Sequence, residues 1–146
     1  MATRSVIAIK KENGEIESVY CHSDGYPSHN GSLLLKFYSS EELAKKVISL
    51  GGISFLDKKI SPEKEFDLPR RTWRGTENVK HSFDTPQDGV TVFYCRDRGE
   101  GLDISKNESE QDFINQWNSD VDYLYLWKDE KWFLDGIELT EEMTIE

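Results

Sequence analysis

At 146 residues the chain has the length of one domain, able to bury roughly two-thirds of its unfolded surface in a single core. Charged residues make up 32%, mean hydropathy is −0.66, and no apolar run approaches the ~18 residues of a transmembrane helix. The opening Met1-Ala2-Thr3-Arg4 starts no secretory signal, so a protein that stays in its compartment of synthesis is expected.

The net charge of −10 is unevenly distributed. From Glu108 to Glu146 there are 12 acidic residues against two basic ones, Lys128 and Lys131, a balance of −10, so residues 1–107 are neutral. A polyanionic third repels phosphate backbones and attracts basic partners over long range, and it also solubilises. The two cysteines, Cys21 and Cys95, lie in apolar strand-like runs, as expected of reduced thiols in a reducing cytosol.

In chain order, Ser5–Lys10 and Ile16–His22 flank Asn13-Gly14, the pattern of a β-hairpin with a type I′ turn. A polar loop follows, and Leu33 to Tyr38 form a short helical cluster. Ser39 and Glu42 suggest a capping box for a second helix carrying Leu43, Val47 and Leu50, ended by Gly51-Gly52. Ile53–Leu56 reads as a short strand, and residues 57–88 as a long, proline-interrupted irregular segment. Val90–Arg96 reads as a buried strand. Ser105 and Glu108 suggest a second capping box before a helix with Phe113, Ile114 and Trp117. Tyr123–Trp127 and Lys131–Leu134 read as a closing hairpin, and Thr140–Glu146 as a frayed tail. The order predicts an α+β domain, a mainly antiparallel sheet with about three helices packed on one face. Most of Phe37, Phe93, Phe113, Trp117, Trp127, Trp132 and Phe133 are expected to pack in its core rather than form a ligand platform.

The densest polar cluster runs from Tyr20 to Gly31. His22 or His29 could serve as general acid or base with Asp24 orienting it, and Tyr20, Tyr26 and Asn30 complete a candidate ligand site. The same residues read equally as a structural loop with Asp24 and Asn30 capping turns. Arg96 and Arg98, on a glycine-containing turn, suit a phosphate or carboxylate; they join the site if the two loops share one rim of the sheet. A third cluster, Arg71, Trp73 and Arg74, interleaves cations with an aromatic ring; in a protein this acidic it suits a partner-binding loop better than a nucleic-acid groove. No cysteine pair has metal-ligand spacing and no nucleotide, zincin or serine-hydrolase signature occurs, so neither metal nor cofactor is expected.

Three stretches carry a resemblance: T-R-S-x-I-A-I at Thr3–Ile9, Y-C-H-x-D-G-Y-x-x-H-N-G-x-x-L at Tyr20–Leu34, and F-Y-x-R-D-R-G-E at Phe93–Glu100. In order and over most of the chain they resemble a widespread group of small proteins of tailed bacteriophages and prophages. Ser23 stands where that group usually has Trp, and Cys95 where a smaller residue is commoner. The resemblance implies a phage accessory protein acting in the host cytoplasm, and nothing catalytic. The leading expectation is a protein that binds and modulates a basic or nucleic-acid-binding host factor, in counter-defence for example. Its contacts would come from the acidic C-terminal face, through Glu138, Glu141 and Glu142. The alternatives are a nucleotide or cyclic-nucleotide sponge or phosphoesterase built on His22, Asp24 and Arg98, and a structural or virion-associated protein.

Overall fold

The structure, a computed structural model, describes residues 3–60, 91–95 and 100–145. Two β-branched runs pair antiparallel as β1 (Ser5–Lys10) and β2 (Ile16–Cys21), from Ser5↔Cys21 to Lys10↔Ile16. Their connection is wider than the expected type I′ turn: Lys11 N–H donates to Glu15 O, and of Asn13 and Gly14 only the glycine takes positive φ, +89°. Asn13 instead accepts the Glu15 N–H through its side chain.

The next elements are a π-helical turn (Pro27–Gly31), α1 (Ser32–Phe37), α2 (Glu41–Ser49) and β3 (Ile53–Phe55). They lead to β4 (Val92–Phe93), β5 (Ser105–Asn107), α3 (Glu110–Trp117), β6 (Tyr123–Lys128), β7 (Lys131–Leu134) and β8 (Ile137–Glu138). Both predicted capping boxes shift. Ser40, not Ser39, caps α2 by accepting the Leu43 N–H, while Ser39 bonds back to the Leu34 and Leu35 carbonyls. Ser109 caps α3, because Ser105 is taken into β5, whose backbone pairs with Ile16–Ser18 of β2. The tail expected to fray forms a 3₁₀ turn over Glu141–Thr144, with Met143 packed on the core.

The eight strands form one mixed sheet in the order β4-β3-β2-β1-β6-β7-β8, with β5 also on β2. The hairpins at both ends of the chain meet in its centre, where β1 and β6 run parallel in register from Ser5↔Tyr123 to Ile9↔Trp127. Strand alternation divides β1 between two cores. Ile7 and Ile9 face α1 and α2 with Val19, Tyr125, Trp127 and Trp132, whereas Val6 and Ala8 face α3 with Ile16, Phe113 and Leu126. The α+β class is as expected, but the helices divide between the faces, because β1 and β6 are apolar on both sides. Trp132 is 1% exposed and donates its indole N–H to Tyr38 O; burying a side chain of this size stabilises by roughly 1.5–3 kcal/mol. Of the aromatic residues expected in the core, Phe37 is 40% exposed.

Candidate functional site

The Tyr20–Gly31 segment begins on β2, whose alternation sends Cys21 to the α1/α2 face and Tyr20, like Ser18, to the α3 face, where Ser18 accepts the Trp117 indole N–H. The motif is therefore split by the sheet. On the inner side Asn30 is fully buried and donates to Ser5 Oγ at 3.1 Å and Cys21 Sγ at 3.3 Å. Its carbonyl oxygen lies 2.9 Å from His29 Nδ1; a carbonyl only accepts, so His29 carries its proton on Nδ1. The His29 ring packs 5.1 Å from Phe55 and 6.2 Å from Tyr26. Burial pushes the Cys21 thiol up to about 11, which leaves it protonated and unreactive at neutral pH.

Between the two sides the loop is bolted to the central strands. Asp24 takes φ +53°, and Gly25 follows with its N–H on Thr3 O and its carbonyl accepting the buried Tyr125 hydroxyl at 2.7 Å. A Cβ on Gly25 would lie 2.7 Å from that of Ser5, so only glycine fits this close approach. Gly25 and Tyr125 thus tie the loop backbone to the central strands, whereas Asn30 spends its side chain on Ser5, Cys21 and His29 rather than on capping a turn.

On the outer side His22 is exposed and its Nδ1 lies 2.8 Å from the Tyr20 hydroxyl. Neither histidine hydrogen-bonds Asp24 among the described residues, so the histidine–aspartate pair of the hydrolytic reading is not formed there. Tyr20 borders a cleft of about 460 Å³ with Gly52, Tyr94, Glu100, Leu102 and Asp103. Burial raises the Tyr20 hydroxyl pKa, which the Arg4 guanidinium opposes. The stems of the two motif loops are tied to neighbouring carbonyls: His22 N–H bonds Ile53 O and Tyr94 N–H bonds Gly52 O. Arg96 and Arg98, with Arg71, Trp73 and Arg74, lie outside the described residues.

The acidic third is compensated at two places. Glu110 accepts from Lys10 at 2.9 Å and Lys128 at 2.7 Å, and this pair of ammonium groups holds its carboxyl below the usual range. Lys131 lies 3.5 Å from Glu138 on β8. Both lysines of the acidic third are thereby engaged, and Glu141 and Glu142 stand exposed on the 3₁₀ turn without an ion pair among the described residues. β8 is the last strand in the sheet order, with Ile137 65% exposed between Gly136 and Glu138.

Sequence reasoning missed a groove of about 290 Å³ between α3 and the outer face of β6 and β7. Phe113, Ile114, Leu124, Leu126 and Phe133 form its walls. Its lining comes from three elements and the turns between them, so no linear motif announced it; the signal available was the outward apolar alternation Leu124, Leu126 along β6 beside Phe133. Among the described residues no helix is long and apolar enough to cross a membrane. No protein-family model, curated protein or solved structure matches the chain.

Proposed function

We propose that the chain is a non-catalytic phage accessory protein that binds a basic host protein through its acidic C-terminal third, with the β8 edge and the 3₁₀ turn at the centre of the contact. The observation that carries this reading is the locking of Lys128 on Glu110 and Lys131 on Glu138, which leaves the exposed carboxylates around them with no cation of their own segment. An open edge strand with an exposed isoleucine adds backbone donors and acceptors and apolar area to that field. Capture from a host lysate, followed by titration of the purified partner, tests the proposal. The partner should be basic, its affinity should fall at least about tenfold between about 0.05 and 0.5 M salt, and Glu138→Lys/Glu141→Lys/Glu142→Lys should abolish binding. Salt-indifferent binding, or binding untouched by the triple reversal, would overturn it.

A second reading, a nucleotide-scale ligand at the Tyr20–Tyr94 cleft, is favoured by the anchoring of both motif stems on Gly52 and Ile53. It requires a thermal shift with nucleotides or cyclic nucleotides that His22→Ala or Arg98→Ala removes. No shift with any of them defeats it.

A further inference from the structure

The groove beside α3 differs in character at its two ends. At one end Lys128 Nζ sits 4.9 Å from the Phe133 ring centroid and 2.7 Å from Glu110, which Lys10 also contacts, so the carboxylate there already holds two cations. At the other end stand Asp122 and Asp135. Asp122 Oδ2 accepts the Arg4 N–H at 3.1 Å and Asp135 Oδ1 accepts the Leu124 N–H at 3.0 Å. Neither aspartate has an ion pair among the described residues, and the nearby Arg4 guanidinium engages Tyr20 instead. Desolvation raises the Asp135 carboxyl pKa with no cation to oppose it.

An apolar channel leading to two unpaired carboxylates matches a side chain with an aliphatic stem and a planar cationic head. Arginine has that shape: its methylenes cover apolar surface and its guanidinium forks onto carboxylate oxygens. A volume of about 290 Å³ suits a side chain and its flanking backbone rather than a docked helix. A second copy of this chain, itself at −10, offers no matching excess of cations.

We propose that this groove is a binding pocket for an arginine side chain of the basic partner, with Phe113, Ile114, Leu124 and Phe133 holding the stem and Asp122 and Asp135 holding the guanidinium. The inference rests on the proposed function and names its recognition pocket. The test is NMR titration of the full chain with the capped tripeptide Gly-Arg-Gly and with the same peptide carrying citrulline or norleucine in place of arginine. Citrulline keeps the shape and loses the charge; norleucine keeps the stem alone. The arginine peptide should shift the Ile114 and Leu124 methyl and Asp135 amide signals saturably, and both controls should bind at least about tenfold more weakly. Asp122→Asn/Asp135→Asn should weaken arginine binding by a similar factor while leaving the melting temperature no lower, since asparagine can accept the same backbone N–H groups and tolerates left-handed φ. Equal binding of either control, silence at the groove signals, or shifts spread evenly over all acidic positions would overturn it. A silent groove in a chain that still captures its partner defeats this inference alone; a saturable arginine response in a chain with no salt-sensitive partner defeats the proposed function alone.

Discussion

Asp135 stands at φ +50° in the turn between β7 and β8, where a non-glycine residue is uncommon, and its partly buried carboxyl titrates above the ordinary value. A raised folded-state pKa means that the native chain holds this proton more tightly than the unfolded chain. The aspartate therefore favours folding least above its folded pKa, and that handicap disappears as pH drops below the unfolded value near 3.8. Asp135→Asn should raise stability at pH 7 by a few tenths of a kcal/mol, the small figure reflecting solvent screening of a half-exposed group, or about one to two degrees in Tm. The gain should vanish near pH 3 in urea titrations run across that range. A loss of stability at pH 7 would show that the carboxylate serves the fold. A residue that costs stability and lines a groove fits a role in binding, where stability and function trade against each other.

At the scale of elements, hydrophobic alternation made both hairpins and the helical face of α2 legible, because each buries a stripe of its own residues. Local turn and cap signals transferred less well. Asn13-Gly14 opens a five-residue loop, whereas Asp129 and Glu130, at φ +51° and +61°, form the two-residue turn that joins Lys128 to Lys131. Sheet register decides there: the pairing of β6 with β7 leaves only two residues to close the chain, whatever their preference. β5 escaped notice because Ser105-Lys106-Asn107 has no apolar alternation; its backbone pairs with β2, and Ser105 Oγ accepts from Gln116 of α3. The candidate site was legible as a dense polar motif. Its division by the sheet was not, since that depends on which face each β2 residue takes. Gly25 illustrates the limit: its role is set by Ser5, Thr3 and Tyr125, the last 100 residues away.

For the molecule as a whole, a net charge of −10 on 146 residues makes self-repulsion a destabilising term. Ion pairs that oppose it among the described residues, such as Glu110 with Lys10 and Lys128, Glu17 with Lys11 and Glu138 with Lys131, are at least partly exposed and individually small. Raising salt from about 20 mM to about 0.5 M screens both, and repulsion among many carboxylates should be the larger loss, so Tm should rise by several degrees in a scanning-fluorimetry series. A fall in Tm would mean that the few ion pairs outweigh the many like charges.

The parallel pairing of β1 with β6 has a consequence for biosynthesis. Arg4 and Asp122, which exchange hydrogen bonds just before the two strands begin, are 118 positions apart, so an emerging polypeptide cannot form the central pairing of the sheet until Tyr123 to Trp127 have left the ribosome. Until then Val6 and Ala8 lack the Phe113 and Leu126 side chains that cover them, and β1 keeps an open edge awaiting Tyr123 to Trp127. Such a nascent chain is a natural client for holdase chaperones, and stalled or truncated products that lack the last strands should precipitate rather than persist as a smaller folded unit.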